Sequence, residues 1–110
     1  MREYKELSEL RADIAQYPVC MLFVKMENCG VCDATFAKTK ELLKSFTQVP
    51  FMVTSIETIP SLSGEFLIFT APTILLFREG KEVFRQSRIV VFGELERALE
   101  LSVDSVFPQL

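Results

Sequence analysis

An unbroken apolar run, Val19–Val24, lies between Pro18 and Lys25. A strand with one face in water alternates apolar and polar side chains, whereas this run presents apolar side chains on both faces. Its length is that of a β-strand, and it falls far short of a membrane span. The run therefore predicts a strand in a sheet that is covered by helices on both sides.

Three other segments carry apolar side chains at steps of three and four residues, which is the spacing of one helix face. Residues 57–70 are ambiguous, because Pro60 favours the start of a short helix and Gly64 disfavours a long one. The helices predicted by the spacing cover residues 3–16, the stretch that begins near Val31 or Cys32, and residues 95–106.

Further strands are predicted at 51–56, 73–77 and 82–86, with Gly80 in the turn between the last two. The first two strands are joined through a helix, which predicts a parallel pair, and the last two form an antiparallel hairpin. The sequence thus predicts one α/β domain over residues 1–110, with a four-stranded mixed sheet flanked by helices.

The charges exclude two classes of partner. The chain has 15 acidic and 12 basic side chains, a net charge of −3 and no basic block. Nucleic acid and anionic membranes therefore find no complementary surface. The N-terminus, MREYKELSEL, lacks the apolar core of a secretory signal. We predict a cytoplasmic monomer that binds neither nucleic acid nor membrane.

Cys29 and Cys32 stand three positions apart in the stretch ENCGVCD, and Cys20 is the third cysteine of the chain. In a reducing compartment such a pair is typically catalytic or metal-binding, and buried inert thiols are a third interpretation. Zinc needs four ligands, which three cysteines and no histidine do not supply without carboxylates or a second chain. We predict no metal and no cofactor, and Cys20 is expected to be a small core side chain.

Two stretches together resemble the thioredoxin family. In the first, the apolar strand leads into Cys29-Gly30-Val31-Cys32, which opens a helix. In the second, about 40 residues further on, TAPTILLFREG is similar to the family's cis-proline strand and the hairpin glycine that follows it. The resemblance covers nearly the whole chain and implies a thioredoxin fold. The family's usual leading strand has no counterpart in the pattern, so four strands are expected.

The resemblance implies a thiol–disulfide oxidoreductase that exchanges protein disulfides through a redox-active Cys29/Cys32 pair and so contributes to cell redox homeostasis. Cys29, at the mouth of the helix, faces backbone N–H groups that favour the attacking thiolate. Cys32, one turn later and more buried, would resolve the mixed disulfide. The implied partners are disulfide-containing proteins and a recycling enzyme of the thioredoxin-reductase type.

The expected substrate-binding residues are Gly30, Val31, Ala71 and Pro72. Gly30 would allow a tight turn into the helix. The resemblance implies a cis Ala71–Pro72 bond, whose edge would present the Ala71 backbone to an extended substrate segment. The alternative for Pro72 is a trans proline that opens an edge strand.

Four residues near the expected groove depart from the family's pattern. Lys25 and Asn28 stand where tryptophan is common, Val31 replaces the usual proline, and Arg88 falls near an expected glycine. These departures favour a second hypothesis, in which the chain is a non-catalytic binding or accessory module with vestigial cysteines.

Phe23 occupies the strand position at which many members of the family bury an acid that moves the proton of Cys32. A phenylalanine cannot accept a proton. Glu27, Asp33 and water remain as the candidate acceptors.

Overall fold

The computed structural model describes residues 1–108 and places five strands and four helices in them. The strands form one sheet in the order β1-β3-β2-β4-β5. In chain order the elements are β1 (Arg2–Glu3), α1 (Leu7–Gln16), β2 (Val19–Lys25), α2 (Gly30–Leu43), β3 (Phe51–Ser55), α3 (Leu62–Phe66), β4 (Thr73–Arg78), β5 (Lys81–Ser87) and α4 (Phe92–Val106).

β2 is the middle strand of the sheet. Its apolar sequence predicts a strand covered on both faces, which the structure confirms. β2 pairs in parallel with β3 and antiparallel with β4. Residues Val19–Val24 are all 0% exposed. Because successive side chains of a strand point to opposite faces, this one segment contributes to two separate cores.

Each face of the sheet carries one apolar core. Leu10 and Ile14 of α1 and Leu62 of α3 pack on one face, with Leu22 of β2 beneath them. α2 and α4 cover the opposite face. Burying a side chain of this size contributes about 1.5–3 kcal/mol to the free energy of folding. Because β2 buries such side chains on both faces, the helices of both layers stabilise it. Within residues 1–108, none of the helices combines the length and the apolar content that a membrane crossing requires.

The connection between β4 and β5 is a two-residue turn that needs left-handed backbone. Glu79 and Gly80 have φ of 52° and 81°. A tight hairpin with this hand of twist requires positive φ at both central positions, which glycine adopts without a steric penalty. The predicted turn at Gly80 and the antiparallel hairpin are confirmed.

The expectation of a four-stranded sheet without a leading strand is wrong. β1 pairs in parallel with Met52 and Val53 at the edge of β3. Tyr4 extends the pairing: its N–H donates to Val53 O at 2.8 Å, and its carbonyl accepts from Thr54 Oγ1 at 2.9 Å. The strand consists of two exposed, charged residues. It therefore has no apolar alternation that a sequence pattern could detect.

This strand also changes the start of the first helix. α1 begins at Leu7, four residues later than Glu3, where the spacing predicts it. The ambiguous stretch 57–70 holds the five-residue helix α3, whose C-cap residue, Leu67, has φ 56°. α2 begins at Gly30, one residue before the predicted position.

Replacing Tyr4 with alanine tests how the N-terminal strand is anchored. Tyr4 is 2% exposed, and its hydroxyl donates to the Asp13 carboxylate. Loss of a buried aromatic ring should lower the free energy of unfolding by about 3–5 kcal/mol, measured by urea titration. Lys5→Ala, at the exposed neighbouring position, should change it by less than about 0.5 kcal/mol. Equal small effects of the two substitutions would show that Tyr4 does not anchor the strand.

Candidate active site

Cys29 and Cys32 lie where the chain leaves β2 and enters α2. They form a disulfide, with 5.2 Å between their Cα atoms. Cys29 is the N-cap residue of α2, and Cys32 lies in its first turn. The Cys32 N–H donates to Cys29 Sγ at 3.1 Å. The structure thus brings together the two cysteines that the sequence singles out.

The two sulfurs differ in their surroundings. Cys32 is 2% exposed, whereas Cys29 is partly exposed. The first N–H groups of a helix have no partner within the helix, and the helix dipole places its positive end there. Both effects stabilise negative charge on a sulfur at the Cys29 position. Cys29 is therefore the sulfur that an incoming molecule reaches and that the helix stabilises as an anion.

The loop before the disulfide is held by local polar contacts. Asn28 has φ 55°, a left-handed conformation that asparagine tolerates better than most residues. The Glu27 N–H donates to Glu57 Oε2 at 3.1 Å. Asparagine at the position before Cys29 therefore has a backbone role, which the comparison of motifs alone does not reveal.

A groove of about 650 Å³ opens beside the disulfide and is lined by Cys29. All four residues expected to bind substrate line this groove as well: Gly30, Val31, Ala71 and Pro72. The Ala71–Pro72 peptide bond is cis, as the resemblance implies. The fold therefore brings the two separate sequence motifs together on one surface.

The role expected for Gly30 in a tight turn is not required. Gly30 lies within the helix, and a Cβ placed on it meets nothing within 4 Å. Space above Gly30 is open, so this position allows close approach to Cys29 from the groove side. Val31, next along the helix, is 60% exposed.

The remaining lining of the groove includes three residues that the sequence does not indicate and one, Arg88, that it places near the groove. Met26, Ser87 and Ile89 line it, together with Arg88, whose N–H donates to Pro72 O at 2.7 Å. Ile89 is 81% exposed. It stands in the apolar stretch IVVF, which has the composition of a core segment, so the sequence carries no signal for its exposure.

Phe23 is fully buried in an aromatic cluster. Its ring lies 5.3 Å from that of Phe36 and 6.2 Å from that of Phe51, in edge-to-face geometry. Phe36 lies one helical turn after Cys32. The buried polar side chains in residues 1–108 are threonines and one serine, so no acid is buried there.

The two carboxylates that are candidate proton acceptors line a second cavity, which shares Cys29 with the groove. Glu27 and Asp33 both contribute to it, and both are exposed. A carboxylate in this position exchanges protons with solvent directly. Glu27, Asp33 and water therefore stay the candidate acceptors, and residues 1–108 add no buried acid to them.

Cys20 lies apart from this site, near the start of β2 and at the opposite end of the strand from Cys29. It is 0% exposed and packs in the core that α1 covers. Burial, with a smaller contribution from the Asp13 charge, raises the pKa of the Cys20 thiol to about 12. Cys20 is the core side chain that the sequence predicts.

A disulfide that caps a helix, with one sulfur open to a groove and the other buried, can cycle with a dithiol. On a mixed sheet covered by helices, this arrangement defines a thiol–disulfide oxidoreductase with a thioredoxin fold.

Comparisons with known proteins give the family. Thioredoxin-like protein YdfQ of Bacillus subtilis (strain 168) is 29% identical over 79% of this chain and 78% of the relative. Thioredoxin Asp f 28 of Aspergillus fumigatus is 30% identical over 71% of this chain and 68% of the relative. The solved thioredoxin-like protein from Bacillus cereus ATCC 10987 is 34% identical, with a TM-score of 0.65, over 87% of this chain and 98% of that one. No protein-family model matches. The chain belongs to the thioredoxin family.

Alkylation of the reduced protein tests the difference between the cysteines. At pH 7, iodoacetamide should modify Cys29 roughly tenfold or more faster than Cys32, because Cys29 is accessible and lies at the helix N-terminus. Cys20 should stay unmodified in the folded protein, since burial raises its pKa to about 12. Tandem mass spectrometry follows the three sites, and urea-unfolded protein gives the reference rates. Equal folded-state rates at Cys29 and Cys32 would contradict the assignment.

Phe23→Asp tests whether an acid is tolerated beside α2. Losing the ring should lower the free energy of unfolding by about 3–5 kcal/mol, and an unpaired buried carboxyl adds to this. Burial raises the pKa of the introduced carboxyl above its value in the unfolded chain. The folded protein therefore binds more protons than the unfolded chain, so the loss in the free energy of unfolding grows as pH rises. Urea titrations at pH 5 and pH 8 measure the difference, and Phe23→Leu should show none of this added pH dependence. A loss independent of pH would mean that the carboxyl reaches a partner or water.

Proposed function

We propose that this single-domain protein exchanges disulfides in protein substrates, with Cys29 as the attacking thiol and Cys32 as the resolving thiol. One observation carries the assignment. An accessible sulfur caps α2, and a buried sulfur lies one turn later, close enough to be bonded to it. The accessory-module hypothesis gains no support from this arrangement, because both sulfurs are placed to react.

The reaction proceeds in two exchanges. The Cys29 thiolate attacks one sulfur of the substrate disulfide, forms a mixed disulfide and releases the other substrate sulfur as a thiolate, which takes up a proton. Cys32 then loses its proton, attacks Cys29 Sγ and releases the second substrate thiol. Two electrons pass to the substrate, and the protein ends with the Cys29–Cys32 disulfide.

The groove supports binding of an extended segment. Ala71 and Pro72 form one wall, and Gly30 and Val31 lie beside Cys29 on the other. A substrate strand that pairs with the Ala71 backbone would pass over the accessible sulfur. The open space above Gly30 permits that approach.

Repeated turnover requires a donor that returns the Cys29–Cys32 disulfide to the dithiol. A reductase of the thioredoxin-reductase type in the cytoplasm suits this step, because a reducing compartment keeps the pair available as thiols. The exposed apolar side chains of Val31 and Ile89 frame the sulfur that such an enzyme would have to reach.

Insulin reduction in the presence of dithiothreitol tests the proposal. Wild-type protein and Cys20→Ser should accelerate precipitation of the insulin B chain, because Cys20 lies outside the site. Cys29→Ser should fall to the uncatalysed rate. Cys32→Ser should hold a mixed disulfide with the substrate, visible as a mass adduct on Cys29, because the resolving thiol is missing. An adduct formed through Cys32 in Cys29→Ser, or undiminished turnover in that variant, would reverse or remove the assignment.

A further inference from the structure

Arg88 stands on the groove in a backbone conformation that arginine rarely adopts. Its φ is 70°, in the left-handed region where a Cβ introduces a steric clash that glycine avoids. The hydrogen bond from its N–H to Pro72 O fixes this conformation against the proline wall. Unfavourable backbone conformations of this kind are concentrated at functional sites. The Arg88 side chain is therefore a candidate for a role in the groove.

The charge of Arg88 is the distinctive property of the groove. Every other residue that the structure shows lining this groove is apolar or uncharged. Arg88 is exposed and forms no ion pair within residues 1–108. The acidic residues Glu27 and Asp33, together with Lys25, line the second cavity, which shares Cys29 with the groove. The groove is therefore positive on the side of Pro72, although the chain as a whole has a net charge of −3.

We infer that Arg88 selects substrates, so that the groove favours disulfides flanked by aspartate or glutamate. This inference rests on the proposed function. A guanidinium donates two parallel N–H bonds to one carboxylate, which neutral groove residues cannot do. An extended segment advances about 3.3 Å per residue, and the arginine side chain is longer than one such step. Because Arg88 and Cys29 line the same groove, the Arg88 side chain spans the step to a carboxylate next to the attacked cysteine.

Three cyclic disulfide peptides test this selectivity, identical except that the residues flanking both cysteines are Glu, Gln or Lys. The measurement is kcat/KM for their reduction by the dithiol protein. At low ionic strength the wild type should reduce the Glu peptide about threefold faster than the Gln peptide, the size expected of an exposed ion pair, and the Lys peptide slowest. Salt at about 0.5 M should bring the three values together.

Two variants separate the groove charge from net charge. Arg88→Asn removes the charge but keeps a residue that tolerates left-handed backbone, and it should reduce the Glu and Gln peptides at equal rates. Arg97→Asn removes the same charge from the exposed surface of α4, outside the groove, and should keep the threefold preference. A preference that survives Arg88→Asn, or that disappears equally in Arg97→Asn, would overturn the inference.

Oxidised glutathione is tested as a fourth substrate, because it is a small disulfide with its own carboxylates. If Arg88→Asn slows its reduction and leaves the peptide ratios unchanged, the carboxylate comes from a small molecule and the inference about protein segments fails. Equal wild-type rates on all three peptides would also overturn the selectivity while the proposed exchange stands. No reduction of any peptide would remove the proposed function, and the selectivity with it.

Discussion

The burial of β2 on both faces is the constraint on which the rest of the structure depends. Its side chains belong to two cores, so α1 and α3 on one side and α2 and α4 on the other hold the same strand. A strand fixed in this way has little freedom at its end, where the chain turns into α2. The position of Cys29 is therefore set by packing that begins at Val19, well away from any reacting atom.

The site places one kind of side chain in two different surroundings. Cys29 and Cys32 are both thiols when reduced, and they are separated by environment alone: one caps the helix at the groove, and the other is buried in its first turn. Beneath α2, the rings of Phe23, Phe36 and Phe51 pack together in an apolar cluster. The cluster contains no acid, so Glu27, Asp33 and water stay the candidate proton acceptors.

The sequence predicts the parts of this structure that depend on long apolar patterns or on short motifs with few alternatives. β2, the β4–β5 hairpin, the cysteine pair and the Pro72 wall belong to this group. β1 could not be found, since backbone pairing and one buried tyrosine hold it in place. The exposure of Ile89 and the left-handed backbone of Arg88 depend on how β5 ends against Pro72, a tertiary contact with no local signature.

The hydrogen bond from the Cys32 N–H to Cys29 Sγ has a thermodynamic consequence. A thiolate accepts such a bond more strongly than a disulfide sulfur does, because the acceptor is charged. The same backbone group is therefore placed to stabilise a Cys29 thiolate more than the oxidised pair, a contribution that favours the reduced form. One backbone amide of the helix thus contributes to the redox balance of the pair without any side chain taking part.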